Sequence, residues 1–236
     1  MRPVPPESRG GFTLVELLVV VVVLAILAAL LLPSLRKISE QAARAQCASN
    51  LHQIGIGLFA YAADHGNALP AAAAGPTGAQ QESWGYAVWP YIYGGTAAFL
   101  YPGNCLQMGT PVYPVCLPNV FRCPATKKNA VPVPGAQVSP PRFSYGLNFG
   151  PVIPAAGSWS TYQNQPVPLT AATHRSLTAM VTESSQVVGD CHDFLFHYGM
   201  IPHQGGTQIL YYDGHVAWMP LAQVPTSVAD TFWSGQ

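Results

Sequence analysis

Residues that can bind metal ions or act as nucleophiles gather near the C-terminal end of the chain. They are Cys191, His192, Asp193, His197, His203, Asp213 and His215. Cysteine, histidine and carboxylate groups are the usual ligands of zinc. Their spacing matches no compact zinc motif, because His192 and His197 are separated by aromatic residues and His203 precedes an expected strand. We therefore expect no metal site and no bound cofactor in this stretch.

The chain shows no recognisable catalytic constellation. It has no Gly-x-Ser-x-Gly sequence, no phosphate-binding glycine loop and no paired acidic motif. Cys191 and His192 are adjacent, but successive side chains of a strand point to opposite faces, so they do not form a dyad. The sequence therefore predicts a protein that is not an enzyme and has no catalytic residue.

Composition excludes some partners and predicts a loop-rich fold. The 236 residues include 10 Lys and Arg and 10 Asp and Glu, and only 8% of residues are charged. A chain without a basic excess is a poor ligand for nucleic acid. With 22 Gly and 23 Pro beside 49% apolar residues, we expect a real core under many loops.

The N-terminal part of the chain contains an apolar run that is interrupted by one charge. The residues from 12 to 32 are apolar except for Thr13 and Glu16. As a helix this run is about 30 Å long, which matches the hydrocarbon core of a bilayer. An ordinary secretory signal peptide is the alternative, but its apolar region is usually shorter and ends at an Ala-x-Ala site. The run instead ends at Pro33 without such a site.

Beyond Pro33 a helical pattern continues, with apolar residues at steps of three and four apart from one gap. The pattern comprises Leu35, Ile38, Cys47, Leu51, Ile54, Leu58 and Tyr61. This period is typical of an amphipathic helix. We therefore expect one helix from Phe12 to about residue 65, bent at Pro33 and stopped by Gly66 and Asn67.

The residues before the apolar run, Gly10-Gly11-Phe12-Thr13-Leu14-Val15-Glu16, resemble the processing motif of type IV prepilins and type II secretion pseudopilins. The resemblance implies that a prepilin peptidase cuts after Gly11 and N-methylates Phe12. It also implies a leader of residues 1–11, a transmembrane half-helix of residues 12–33, an amphipathic half-helix of residues 34–66 and a globular domain of residues 67–236.

Glu16 needs a physical reason, because a lone carboxylate in hydrocarbon costs at least a few kcal/mol. Cleavage after Gly11 creates an α-amine on Phe12. In a filament, Glu16 of one subunit can meet that amine on its neighbour, which neutralises both charges and sets the axial register. The alternative is that Glu16 lies among the lipid headgroups and has no role.

Strand signals appear in the second half of the chain, at residues 119–123, 142–149 and 177–184. The strongest predicts strands at 207–212 and 215–219 joined through Asp213-Gly214, a typical hairpin dipeptide. Gly214 can adopt a positive φ without steric cost. A small antiparallel sheet packed on the long helix, with long loops, gives a pilin-like α+β fold.

The stretch HQGGTQILYYDGHVAW (203–218) is similar to the His-x9-Asp-Gly signature of a prepilin-type processing-associated family, which is abundant in planctomycete-like bacteria. Residues 47–70 and 121–124 also resemble segments of that family. The resemblance implies a pilin-like architecture. From the residues, we expect Asp213 to shape the turn and His203 to fix the preceding loop by a hydrogen bond to Asp213 or to a backbone carbonyl.

Five cysteines are compatible with an oxidising compartment, and their odd number leaves at least one unpaired within a monomer. Cys105 and Cys116 lie in one loop and form an easy local pair. Cys47 on the helix and Cys123 near a strand end can link the helix to the sheet. All five being reduced and buried is the alternative.

Two functions are compatible with these features. The first is a structural subunit of a type IV pilus or a type II secretion-like filament. Its partners are the prepilin peptidase, other pilin subunits in a homo- or hetero-polymer, an inner-membrane assembly platform and the bilayer. The second is a membrane-tethered periplasmic module whose aromatic loops in residues 67–118 bind glycan or a secreted substrate. In both, the chain crosses the inner membrane once, with its N-terminus in the cytoplasm and its C-terminal domain in the periplasm.

Overall fold

The structure is a computed structural model that describes residues 13–71, 84–95, 120–127, 131–132, 144–152, 165–183, 200–201, 203 and 205–236. Some residues singled out in the sequence lie outside the described part. They are Gly11, Phe12, Cys105, Cys116, Cys191, His192, Asp193 and His197.

The predicted long helix is present as α1, which spans Leu14–Asp64 and has 51 residues. The chain divides into two compact units, one ending at Gln41 and the other comprising Ala42–Gln236. In the first unit the described side chains of α1 are almost all exposed. In the second unit one face of α1 is buried, and its innermost residues recur every three or four positions. These residues are Cys47, Leu51, Ile54, Leu58 and Ala62.

The buried face of α1 starts later than the sequence pattern suggested. Leu35 and Ile38 follow the helical period but are 57% and 58% exposed. Both belong to the first unit, whereas the sheet and the loops that cover the later residues belong to the second. Periodicity alone does not say where the covering elements begin.

The end of α1 is as predicted. Gly66 and Asn67 both have positive φ, at 64° and 59°. The Asn67 backbone N–H donates to the Ala62 carbonyl at 2.8 Å, which is the outer bond of a Schellman cap. The cap satisfies carbonyls that the last turn would leave unpaired.

A second helix, α2, spans Trp84–Tyr93, within the residues 67–118 that were interpreted from the sequence as aromatic loops. Its buried residues include Trp84, Val88 and Trp89. α2 packs closely on α1 at Gly57, where an added Cβ would lie 2.6 Å from Ile92 and 2.8 Å from Val88. The glycine therefore permits the close approach of the two helices.

The main sheet has four antiparallel strands and lies within the second unit. In chain order, the strands of the described part are β1 Ala68–Leu69, β2 Val131–Pro132, β3 Tyr145–Leu147, β4 Val167–Pro168, β5 Ala179–Glu183, β6 Met200–Ile201, β7 Gly206–Tyr211 and β8 Val216–Pro220. The order in the main sheet is β3-β5-β7-β8, and β1 pairs with β4 and β2 with β6. This arrangement confirms the α+β class and the predicted hairpin, which is β7-β8.

The predicted strand at residues 119–123 is wrong in its described part. Val120 and Phe121 form a turn, and a 3₁₀ turn follows at Pro124–Lys127. The Val120 backbone N–H donates to the Tyr93 hydroxyl at 2.8 Å instead of joining a strand. Phe121 is fully buried, with its ring 5.5 Å from that of Trp84. Contacts with α2 therefore override the local preference for a strand.

The chain ends in a short helix, α3, at Thr231–Ser234, which covers the other face of the sheet. The Asp230 side chain caps it by accepting a hydrogen bond from the Phe232 backbone N–H at 2.8 Å. Phe232 and Trp233 belong to a second apolar cluster with Ile209 and Tyr211 of β7. The sheet is thus packed on both faces.

Candidate functional site

The first turn of α1 is closed by a reciprocal pair of hydrogen bonds between Thr13 and Glu16. The Thr13 backbone N–H and hydroxyl both donate to Glu16 Oε2 at 2.8 Å. In return, the Glu16 backbone N–H donates to the Thr13 hydroxyl oxygen at 3.3 Å. This pattern is a capping box, with Thr13 at the N-cap and Glu16 three residues later. Glu16 therefore has a local structural role that the sequence analysis did not consider.

The helix that follows presents an apolar surface on every side. All residues from Thr13 to Leu32 are exposed, and Glu16 is the one charged residue among them. Among the described residues, α1 is the one helix long and apolar enough to cross a membrane. Such a surface is stable only in lipid or against other apolar surfaces.

The Asp213-Gly214 hairpin has the geometry expected of a structural turn. Gly214 has a φ of 93°. Asp213 Oδ1 accepts a hydrogen bond from the His215 backbone N–H at 3.1 Å and lies 2.6 Å from His215 Nδ1. Although partial burial opposes the ionised form, the hydrogen bonds from His215 hold the pKa of Asp213 below its ordinary value. The carboxylate thus acts within its own turn.

His203 does not bond to Asp213, which was one of the two partners proposed for it. Its Nε2 lies 3.0 Å from Glu183 Oε1 and 3.4 Å from Cys123 Sγ, and the His203 and Glu183 side chains are fully buried. The backbone of His203 forms an isolated bridge with Gly206 at the start of β7. The histidine therefore joins the approach to the hairpin to the end of β5.

Cys123 is also bonded to Cys47, the long-range pair named from the sequence. The disulfide joins α1 to the segment before the 3₁₀ turn, with 5.4 Å between the two Cα atoms and a sequence separation of 76. The donor atoms of Cys47, Cys123, Glu183 and His203 all lie within 4.8 Å of one another, and all four residues are buried. We call this group the Cys-Cys-Glu-His cluster.

Glu183, the last residue of β5, was missed in the sequence analysis. Its Oε2 accepts hydrogen bonds from the Gln208 backbone N–H at 2.9 Å and from the Thr207 hydroxyl at 3.4 Å. Burial raises the pKa of the neighbouring Tyr145 well above its ordinary value, and the charge of Glu183 adds to that effect. The sequence feature that could have pointed to Glu183 is a single carboxylate at the end of an otherwise uncharged strand, LTAMVTE.

Two family models match the chain. One, described as "Prokaryotic N-terminal methylation motif", matches residues 8–32. The other, described as "Protein of unknown function (DUF1559)", matches residues 36–179, which is more than half of the chain. The chain belongs to the DUF1559 family. No curated protein and no solved structure gives a significant match.

The two matches divide the DUF1559 chain at the end of its apolar run. The methylation motif covers the capping box and the apolar surface, and the family region begins within α1 at residue 36. This combination supports the resemblance to type IV pilins and pseudopilins. The match names no bacterial group, so the link to planctomycete-like bacteria stays a prediction.

The family region contains only part of the Cys-Cys-Glu-His cluster. Cys47 and Cys123 lie inside residues 36–179, whereas Glu183 and His203 follow it. The hairpin with Asp213 and Gly214 also lies beyond the matched region. The His-x9-Asp-Gly segment is therefore a part of the chain to which the family match assigns nothing.

Proposed function

We propose that this DUF1559 chain is a pilin-like structural subunit that polymerises through the apolar half of α1, in a type IV pilus or a type II secretion-like filament. The observation that carries the proposal is the exposed apolar surface of residues 14–32, which lies within the match to the prokaryotic N-terminal methylation motif at residues 8–32. In this proposal the surface lies in the bilayer before assembly and against neighbouring subunits afterwards.

The placement of charge supports polymerisation over simple anchoring. The capping box gives Glu16 a role at the start of any such helix, but a glutamine caps equally well. A membrane tether therefore has no need for the charge, which is costly in an apolar segment. Glu16 is the one charged residue between Thr13 and Leu32. In the proposed filament its carboxylate neutralises the Phe12 amine that cleavage after Gly11 creates on a neighbouring subunit.

The same proposal sets the topology and the partners. The leader of residues 1–11 faces the cytoplasm, where the prepilin peptidase removes it and methylates Phe12. The half-helix of residues 12–33 spans the inner membrane, and the rest of α1 with residues 67–236 lies in the periplasm or on an extracellular filament. An inner-membrane platform then adds the subunit to other pilin subunits.

The test is to express the full chain with a C-terminal epitope in a host that has a prepilin peptidase and an assembly platform. Immunogold electron microscopy of sheared surface material and of periplasmic material should show labelled filaments. A host without the assembly platform is the control and should give a processed subunit in the membrane fraction only. A chain that stays monomeric with the platform present, and that binds glycan or a secreted protein, would support the tethered binding module instead.

A further inference from the structure

We propose that the Cys-Cys-Glu-His cluster binds a zinc-type divalent metal ion when Cys47 and Cys123 are thiols. The four donor atoms lie within 4.8 Å of one another, and each residue is buried. The ligands come from α1, from the segment before a 3₁₀ turn, from the end of β5 and from the approach to β7. This inference is independent of the polymerisation proposed above.

The donor set suits zinc chemically. Two thiolates, one imidazole nitrogen and one carboxylate oxygen are all common zinc ligands, and four of them complete a tetrahedral structural site. With Zn–S near 2.3 Å and Zn–N or Zn–O near 2.0 Å, tetrahedral donors lie about 3.3–3.8 Å apart. His203 Nε2 is 3.4 Å from Cys123 Sγ and 3.0 Å from Glu183 Oε1, so the ring nitrogen needs to shift by only a fraction of an ångström.

The carboxylate is already oriented as a ligand. Glu183 Oε2 is held by the Gln208 backbone N–H and the Thr207 hydroxyl, which leaves Oε1 facing the cluster. Although Nε2 of His203 is at ion-pair distance, Oε1 accepts no hydrogen bond from any group in the described part of the chain. A buried carboxylate oxygen without a donor is unfavourable, and a bound cation removes that cost.

Metal binding and the disulfide exclude each other, because both use the same two sulfur atoms. A dithiol reductant transfers two electrons and two protons to the Cys47–Cys123 bond, forms its own disulfide and leaves two thiols. The metal ion then displaces both thiol protons to solvent. A proton on His203 Nε2 moves to Nδ1 when the ring is neutral and is released to solvent when the ring is doubly protonated. In either state Cys47 on α1 stays linked to Cys123, so the helix remains attached to the domain in oxidising and in reducing conditions.

The experiment uses the full chain in detergent, reduced with a dithiol, stripped with a chelator and titrated with Co²⁺ alone. The reduced chain should take up one Co²⁺ with the visible bands of tetrahedral cobalt and a thiolate-to-cobalt charge-transfer band. The oxidised chain should take up no Co²⁺ and should show neither of these bands. In a second measurement, Zn²⁺ should slow alkylation of Cys47 and Cys123 in the reduced wild-type chain, as followed by peptide mass mapping.

Variants assign the ligands. Glu183→Gln and His203→Ala should each weaken Co²⁺ binding by at least about tenfold. His65→Ala, an exposed histidine stacked on Tyr61, is the matched control and should bind like wild type. Near-ultraviolet circular dichroism checks that each variant is folded, and the alkylation measurement needs no variant at all.

Three results would overturn the site. The first is a reduced wild-type chain that takes up no Co²⁺ and whose Cys47 and Cys123 alkylate at the same rate with and without Zn²⁺. The second is unchanged cobalt binding in the double variant Cys47→Ser, Cys123→Ser, which would show that the metal binds to other residues. The third is wild-type affinity in both Glu183→Gln and His203→Ala.

Discussion

Glu16 Oε2 lies 2.8 Å from both the backbone nitrogen and the hydroxyl oxygen of Thr13, so the carboxylate inside the apolar segment is already engaged within its own helix. Glu16 therefore has two separable roles. One is the observed helix cap, and the other is the proposed pairing of its charge with the Phe12 amine of a neighbouring subunit. Glu16→Ala should still insert and be cleaved but should assemble poorly. It removes both roles at once and cannot tell them apart.

Two other substitutions separate the cap from the charge. Glu16→Gln keeps the cap, because a glutamine at this position of a capping box also reaches the N-cap backbone, but it removes the charge. Thr13→Ala keeps the charge and removes the cap, at a cost of about 1 kcal/mol to the start of the helix. If the charge pairs with a neighbour's Phe12 amine, Glu16→Gln should lose filaments while Thr13→Ala retains them.

The measurement compares membrane insertion, cleavage and filament yield for wild type and both variants. Insertion of Glu16→Gln should equal or exceed that of wild type, because a charge is removed from the apolar segment. Normal filaments from Glu16→Gln together with none from Thr13→Ala would mean that capping, and not charge pairing, is what assembly needs from Glu16.

Processing should occur between Gly11 and Phe12. N-terminal analysis of the mature protein should begin at Phe12 with an N-methyl group, and Gly11→Ile should leave the leader attached because a branched side chain replaces the glycine before the cut. Membranes of a host without the peptidase provide the control, in which the terminus should stay at Met1. An intact Met1 terminus in a host with an active peptidase would contradict the assignment.

Replacing Gly57 should destabilise the second unit, although glycine to alanine inside a helix normally gains about 1 kcal/mol. The added Cβ would lie 2.6 Å from Ile92 Cγ1 and 2.8 Å from Val88 Cγ1, and overpacking of this kind typically costs about 1–3 kcal/mol. Thermal unfolding of the full chain in detergent, followed by near-ultraviolet circular dichroism, should show Gly57→Ala melting below wild type.

Gly55→Ala is the matched control for Gly57→Ala. The three atoms nearest to its added Cβ all belong to the Leu210 side chain, and the two closest are methyl groups at 3.1 and 3.2 Å, which can move by a few tenths of an ångström. Ile92→Ala should relieve part of the Gly57→Ala defect, because it removes the nearest atom. A Gly57→Ala chain that melts at or above the wild-type temperature would show that α1 and α2 are less tightly packed than the structure has them.

Local patterns predicted much of this fold, namely the long helix, its stop at Gly66 and the hairpin at Asp213-Gly214. α2 was less visible, because its sequence WGYAVWPYIY is apolar on nearly every side and contains Pro90, so no polar face marks its period. The helix becomes recognisable only when its packing partners are known. Its contacts with Val120 and Phe121 also explain why these two residues form a turn and not the predicted strand.

The residues of the Cys-Cys-Glu-His cluster also differ in how far the sequence predicts them. The pair of Cys47 and Cys123 was one of two disulfides predicted from position in the chain, and His203 was singled out by its spacing to Asp213. Its contact with Glu183 depends on how β5 aligns with β7, where the Glu183 side chain bonds to the backbone of Gln208. The register between distant strands is set by the whole sheet, so the sequence of neither strand alone predicts which residues become neighbours.

The hairpin glycine should be structural. Gly214 has a φ of 93°, and an added Cβ would lie 3.1 Å from Phe59 Cε2 on α1. Gly214→Val therefore introduces backbone strain of about 1–3 kcal/mol together with a clash, and the full chain should melt well below wild type. Gly94→Val is the matched control, since Gly94 has a φ of 85° and, within the described part of the chain, no atom lies within 4 Å of an added Cβ. Gly94→Val should show the backbone strain alone and therefore a smaller decrease in melting temperature.

A Gly214→Val chain that melts like wild type yet loses a specific ligand or activity would make the His-x9-Asp-Gly segment a functional site. That result would contradict the structural role that the hydrogen bonds between Asp213 and His215 support.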